Sequence, residues 1–334
     1  MTTAVREYPL PVPAGDRLLV EVHYSAISAG TELLVFQGQI PEQLAVDDTL
    51  PAYSGIKFEY PLQYGYSCVG RVVSAGPRAD QAWLGRWVFA FQPHQSHYLA
   101  DAADLIPLPE GMAPHDAVFL SGMETAVNLV MDGRPMIGEK VLVLGQGVIG
   151  LLTTALLALH PLRALSVVDQ WPVRREAALR LGADTALSGR EEGLGNASSA
   201  ILTGLHAEGR ADLIYELTGQ PAMLNTAIEW AGFGARIVVG SWYGKKSTPI
   251  ELGGRFHRNR IQLMSSQVST LNPSLTGRWT RHRRLALAWS MLERIRPCHL
   301  ISHRFSIHEA QTAFEQISRS PDETLQVIFT YGNT

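Results

Sequence analysis

The sequence predicts an α/β chain in which a doubly wound parallel sheet, covered by helices on both faces, stands beside a β-rich domain. Three observations predict it. The apolar run 140–145 leads straight into Gly145-Gln146-Gly147-Val148-Ile149-Gly150, and a helical stretch follows at once. Across residues 122–267, continuous apolar runs alternate with helical segments, the pattern of strands buried on both faces. Before residue 114, short β-branched and aromatic runs are punctuated by glycine and proline.

Taken in order, the runs 18–24, 68–73 and 87–91 read as strands, the last ended by Pro93. Their close spacing suggests a small barrel-like domain. Strand 140–145 opens the second zone, followed by a helix from 148 to about 160, strand 165–169 and helix 173–181, closed by Gly182. Strands 212–216, 235–240 and 261–264 come next. Pro221 is placed at the first position of a helix through Trp230. The third zone offers a helix near 283–295, a strand near 300–305, a helix 308–317 and a strand 325–330. The expected organisation is therefore 1–121, then 122–267, then a segment 268–334 that returns to complete the first domain.

Composition excludes several classes. The 334 residues suit about two domains, and 46% hydrophobic with 18% charged residues is an ordinary globular balance. A net charge of −3 gives no footing for nucleic acid or an anionic membrane as partner. Two cysteines, Cys68 and Cys298, make neither a disulfide framework nor a four-thiolate zinc site. Residues 1–13 lack a basic segment followed by an apolar run, so no secretory leader is expected. The longest apolar stretch, 147–159, is interrupted by Thr153 and Thr154 and is too short to span a bilayer. A cytoplasmic protein acting on a small molecule is expected.

The glycine motif carries the most specific chemistry. Gly145 permits a tight turn, Gly147 lets backbone approach a pyrophosphate, and Gly150 allows close helix–strand packing. Val148 and Ile149 open a helix whose N–H groups and dipole favour phosphate, which is the Rossmann-type arrangement. Asp169, about 20 residues on, suits a ribose 2′-hydroxyl and repels a 2′-phosphate, so NAD is favoured over NADP. Arg174 and Arg175 lie close enough in sequence to offset part of that repulsion.

Further phrases extend the pattern: Gly30-Thr31-Glu32, Gly65-Tyr66-Ser67-Cys68-Val69-Gly70-Arg71-Val72 and Ser121-Gly122-Met123-Glu124-Thr125. Arg174-Arg175-Glu176 leads to Leu181-Gly182-Ala183-Asp184, and Glu216-Leu217-Thr218-Gly219 follows. Together with the glycine motif, they resemble the medium-chain dehydrogenase/reductase superfamily over nearly the whole chain. The stretch from Ser25 to Glu32, continuing to Gly38-Gln39-Ile40-Pro41, is most similar to its bacteriochlorophyllide a dehydrogenase branch. The resemblance implies a GroES-like catalytic domain and a homodimer or homotetramer. It also implies that Thr125 lies against a nicotinamide, with Thr218 and Val239-Gly240-Ser241 also on the cofactor.

The departures are equally informative. Zinc alcohol dehydrogenases of that superfamily hold zinc with a cysteine, a histidine–glutamate pair and a further cysteine. Here the pair is Tyr66-Ser67, the first cysteine falls on Ser28 or Ala29, and the last falls on Ser121. Neutral hydroxyls and alanine are poor zinc ligands. The structural-zinc lobe is also missing, since the chain passes from Phe91 through Pro93 to His94. A zinc-free member is expected, with no metal residues.

A carbonyl oxygen would then need hydrogen-bond donors. Thr31 stands where the resembled family has its proton-relay hydroxyl, and Tyr66 is the leading proton donor, its pKa expected to need lowering. Space filling where the metal was lost is the alternative for Tyr66. Glu32, Glu124, His94 and His97 are second-line candidates, the two histidines favoured as loop residues with ordinary hydrogen bonds. The run Arg278, Arg281, His282, Arg283, Arg284 reads as a solvated helix face. Its alternative, with Arg255, His257 and Arg258, is a grip on an anionic substrate. Trp242, Trp279 and Trp289 are candidate core or interface residues. The leading function is NAD(H)-dependent interconversion of a secondary alcohol and a ketone, with cyclic or polyhydroxylated substrates in view. A quinone or enone reductase and a non-catalytic NAD sensor are the alternatives, and fold does not separate them.

Overall fold

The computed structural model describes residues 1–10, 12–41, 43–189 and 209–332. In chain order its first elements are β1 (Leu18–Ala26), α1 (Ala29–Phe36), β2 (Cys68–Ala75), β3 (Trp87–Ala90), β4 (His97–Ala100) and β5 (Ile106–Pro107). Next come α2 (Pro114–Ala117), α3 (Leu120–Gly133), β6 (Lys140–Leu144), α4 (Val148–Leu157), β7 (Ala164–Asp169), α5 (Pro172–Arg180) and β8 (Thr185–Ser188). Then follow β9 (Ala211–Glu216), α6 (Met223–Trp230), β10 (Ala231–Val239) and β11 (Gln262–Ser265). The last are α7 (Arg281–Ile295), β12 (Ile301–Ser306), α8 (Ala310–Arg319) and β13 (Gln326–Thr330). Two units result, one of Met1–Ser121 with Ala288–Thr334, the other of Gly122–Leu287. No helix among the described residues is long and apolar enough to cross a membrane.

The first unit is built on a sheet ordered β12-β13-β1-β2-β3-β5, with β4 also pairing to β1. The chain's last strand lies antiparallel on its first, Ser25 opposite Phe329. Leu18, Val20 and Val22 alternate onto one face, the period-two signature of a half-buried strand, and meet Val72, Val88 and Tyr98. Helix α8 closes this core with Ala310, Ala313, Phe314 and Ile317, spaced three and four apart. Ser306 and Glu309 form a reciprocal capping box one turn ahead of it.

In the second unit six strands are ordered β11-β10-β9-β6-β7-β8, every pair parallel. From β6 the chain winds outward through β7 and β8, then returns to the other side through β9 to β11. The order therefore reverses between β6 and β9, and the carboxyl ends of strands flanking such a reversal form the usual ligand crevice of an open α/β sheet.

Several expectations shift. Helix α4 stops at Leu157, three residues short of His160, because the chain tightens to i+3 hydrogen bonds before Pro161. Helix α6 begins at Met223 after a turn in which Met223 donates to the Gln220 carbonyl, so Pro221 precedes the helix. Helices α1 and α3, and strands β4 and β8, add to the sequence reading.

The return to the first unit comes at Ala288 rather than at 268. Arg284 accounts for the delay. It is 1% exposed and donates to Glu124 Oε1 from Nε and Nη2 at 3.1 and 2.8 Å, to Asn128 Oδ1, and to the Val268 carbonyl. Asn272 and Ser266 are tied alongside through Asp132. The basic run is thus not a uniform solvated face: Arg284 is buried, and the Arg283 guanidinium lies 4.1 Å over the Trp279 ring. Replacing Arg284 with Met strands a buried carboxylate and should lower unfolding stability by about 3–5 kcal/mol. The double variant Arg284→Met/Glu124→Gln should lose less than the two singles summed, as read by urea titration.

Candidate functional site

In the second unit, the strand ends bring the expected cofactor residues to one edge of the sheet. Gly145 follows β6 with φ +89°, and a Cβ there would lie 2.7 Å from the Leu217 carbonyl oxygen. A Cβ on Gly150 would sit 2.0 Å from the Gly145 carbonyl oxygen, so α4 can start this close to β6 only with glycine. Gly147, the N-cap of α4, has open space beyond its Cα and no side-chain cap. Gly147, Val148 and Ile149 are only partly buried. The turn thus offers backbone N–H groups without crowding, the requirement for a phosphate pair.

Asp169 ends β7 and is 7% exposed. One carboxylate oxygen accepts from the Gln146 N–H at 2.7 Å, the other from the Trp171 N–H at 2.8 Å. Asp169 therefore braces the glycine turn itself, and lone pairs remain for further donors. Arg174 Nη1 stands 4.0 Å from the carboxylate, and Arg175 donates to the Asp169 carbonyl.

At the ends of β9 and β10, Glu216 is fully buried and accepts from the Thr218 N–H at 2.8 Å, from the Thr218 hydroxyl, and from the Tyr243 hydroxyl at 2.5 Å. The Gly240 N–H donates to the Glu216 carbonyl, and Gly219 N–H to Ser241 Oγ. Thr218, Gly240 and Ser241, with Val239 ending β10, are held by this one residue. Tyr243 is pushed up well beyond an ordinary phenol, by burial first and then by Glu216. Sequence reasoning gave Glu216 and Tyr243 no role. The available signal was a glutamate closing the apolar run Leu213-Ile214-Tyr215. Thr125 is partly buried on α3. Glu124, one residue before it, is committed to Arg284, and burial, opposed by that guanidinium, pushes its carboxyl up.

The first unit holds a second cluster. Glu32 lies in the first turn of α1 and is 2% exposed. Its Oε1 accepts from the Ser28 N–H at 2.8 Å, and its Oε2 lies 2.8 Å from His94 Nε2. His94 Nδ1 lies 2.7 Å from Ser25 Oγ, itself 2.6 Å from the Tyr331 hydroxyl. His94 lies in the loop between β3 and β4, as expected, but both of its ring nitrogens are engaged inside the fold. His97 is elsewhere, on β4 beside Ser96, and does not join the cluster.

Tyr66 is half-buried beside α1. Burial first, then the Glu32 carboxylate, push its pKa up to about 12, while hydrogen bonds with Ser28 and Thr31 pull the other way. The sequence reading required a lowering for efficient acid–base work; burial and the Glu32 carboxylate produce a rise instead. Tyr53, Phe58 and Tyr64 form an aromatic wall, with Tyr64 and Tyr66 centroids 6.0 Å apart.

The donor set does not fit zinc. Ser67 and Ser121, two of the positions that the resemblance assigns to zinc ligands, hydrogen-bond to each other at 3.1 Å, and Ser67 donates to the Val118 carbonyl. Cys68 is buried in β2 with its thiol against the Gln92 carbonyl. Among the described residues, no three His, Cys, Asp or Glu side chains gather to hold an ion.

Comparison with known proteins places this geometry. The structure of RspB from E. coli CFT073, solved as a complex with NADH, superposes with a TM-score of 0.75 at 21% identity, covering 98% of this chain and 95% of that one. The 2R,3R-butanediol dehydrogenase of Bacillus subtilis superposes with a TM-score of 0.76 at 18% identity, covering 99% and 96%. The fold is the alcohol dehydrogenase fold. In sequence, D-guloside 3-dehydrogenase of Shigella flexneri is 25% identical over 302 residues, 86% of this chain and 85% of that protein. No family model matches the chain.

Proposed function

We propose that the protein is an NAD(H)-dependent oxidoreductase that interconverts a secondary alcohol and a ketone without zinc. The observation that supports this reading is a cluster of hydroxyls, Tyr66 with Ser28 and Thr31, in a fold that also keeps an uncrowded dinucleotide turn. A D-guloside 3-dehydrogenase and a 2R,3R-butanediol dehydrogenase are among the proteins that resemble it across most of its length, which supports a cyclic or polyhydroxylated substrate.

Bound at Gly145, Gly147, Val148, Ile149 and Gly150, the cofactor supplies or accepts a hydride; the protein's own residues manage the oxygen. Thr125, Thr218, Val239, Gly240 and Ser241 are its remaining contacts in this reading. A carbonyl accepting hydride builds charge on oxygen, and without a Lewis acid that charge must be met by a hydrogen-bond donor. Tyr66 suits the task in one direction especially. With its pKa near 12 the phenol remains protonated throughout the neutral range, so it donates readily to the more basic alkoxide. Thr31 and Ser28 orient that hydroxyl. The reverse reaction needs the phenolate, which Glu32 disfavours, so alcohol oxidation gains as pH rises toward 12 while ketone reduction is already fully competent below it.

Asp169 supports NAD over NADP, although Arg174 beside it leaves a cation at the same place. Glu32 and His94 support the donor rather than touching substrate.

Three outcomes are expected. Tyr66→Phe should cut kcat for NADH-driven ketone reduction by about 10²–10⁴-fold with NADH affinity unchanged; unaltered turnover rules Tyr66 out as donor. Metal analysis of purified, active protein should show no stoichiometric zinc, and a full equivalent would overturn the metal-free reading. Asp169→Ser should shift the NADH-to-NADPH affinity ratio toward NADPH by about tenfold or more, the worth of a hydrogen bond to a charged group.

A further inference from the structure

The strand ends of the second unit divide into two halves. In the cofactor reading above, Asp169 on β7 takes the adenosine ribose and the turn after β6 takes the phosphate pair. A dinucleotide laid across the strand reversal then carries its nicotinamide half over the ends of β9 and β10. After β10, residues 240–251 form neither strand nor helix. A stretch of that length is costly to order unless the fold already holds it.

Glu216 is placed to hold it. The residue is fully buried at the end of β9, and its two carboxylate oxygens serve different loops. Oε1 accepts from the Thr218 N–H at 2.8 Å and from the Thr218 hydroxyl, while Oε2 accepts from the Tyr243 hydroxyl at 2.5 Å. Further ties join the same two loops. The Gly219 N–H donates to Ser241 Oγ, and Lys246 Nζ donates to the Gly219 carbonyl, both at 2.9 Å. Tyr243 and Lys246 are the ends of one turn, closed by the Lys246 N–H on the Tyr243 carbonyl, with Gly244 inside it at φ +60°. Both ends of that turn are therefore anchored on residues 216–219. Leu217 carries the anchor on to the phosphate turn. A Cβ on Gly145 would lie 2.7 Å from the Leu217 carbonyl oxygen, and one on Gly240 would lie 2.5 Å from Leu217 Cδ2.

We propose that the Tyr243–Glu216 hydrogen bond, seconded by Lys246 on Gly219, presets the 240–246 loop for the nicotinamide ring, making Tyr243, Glu216 and Lys246 positioning residues. This rests on the reading of NAD(H) as the cofactor. A loop already in its bound shape costs little to order when the ligand arrives, and loosening it lowers the fraction of molecules ready to bind. The loss falls on the ring that this loop meets. It spares the adenosine side, where Asp169 is held separately by the Gln146 and Trp171 N–H groups.

Affinities of the whole protein for NADH and for ADP-ribose, which lacks the nicotinamide ring, separate the two halves. Tyr243→Phe, which deletes one hydroxyl, should weaken NADH by about tenfold, near the worth of a hydrogen bond to a charged group, and ADP-ribose by about twofold or less. Lys246→Met should act in the same direction by a smaller factor. Asp169→Ser should weaken both ligands alike, since both carry the adenosine ribose. A purely structural role would lower the unfolding temperature and leave the ratio of the two affinities unmoved. An unmoved ratio in folded Tyr243→Phe overturns the proposal; if that variant does not fold, an unmoved ratio in Lys246→Met does so. The cofactor reading fails separately, and takes the proposal with it, if the parent protein binds neither NADH nor ADP-ribose.

Discussion

Helix α4 can stand where it does only because Gly150 has no side chain. Its Cα packs so closely on the Gly145 carbonyl that a methyl group would overlap the oxygen. That contact sets where the helix begins relative to the end of β6, and so where its first N–H groups lie. Neighbouring strand ends are trimmed to the same edge by further bonds: Asp169 to the Gln146 N–H from β7, and Glu216 to Thr218 and Gly240 from β9. A turn that tight would be costly to hold on its own. Here a buried acid on either side of it makes the arrangement part of the sheet's own hydrogen bonding.

Those acids divide according to what holds them. Asp169 is satisfied mainly by backbone N–H groups, Glu216 by a threonine and a tyrosine, and Glu124 by a guanidinium. Glu32 is met by one backbone N–H and an imidazole. Each carboxylate would be expensive to bury alone, and each has a partner whose chemistry determines its effect on neighbours. Arg284 neutralises Glu124 and leaves a structural staple. Glu32 is paired with the His94 imidazole instead, at 2.8 Å.

This division explains what was legible in the sequence. The glycine motif, the parallel strands and Asp169 are local patterns, written within about thirty consecutive residues, and periodicity exposes them. The Glu32–His94–Ser25–Tyr331 chain joins residues 62 to 306 positions apart, so no spacing rule could assemble it. Arg284 was hidden among four other basic residues, and only packing against α3 distinguishes it. Helix α1 was obscured by Gly30 and Thr31, weak helix formers whose start is instead fixed by Glu32 reaching back to Ser28. Tyr66 was visible as a residue but not in its direction of perturbation, since burial is a property of the fold.

On the proposed zinc-free reading, hydroxyls in place of a metal set would have a consequence beyond the loss of a Lewis acid. A divalent cation would attract charge on a substrate oxygen in either direction of reaction and would favour the deprotonated form of its neighbours. Hydroxyls around a buried carboxylate act oppositely: they donate to a developing alkoxide but resist becoming anions themselves. On the proposed zinc-free reading, the first unit would keep half of what a metal provides. It would stabilise charge that arrives with a hydride, yet give no help in removing a proton from an alcohol at neutral pH. On that reading the burial of Tyr66 beside hydroxyls would make reduction the favoured direction.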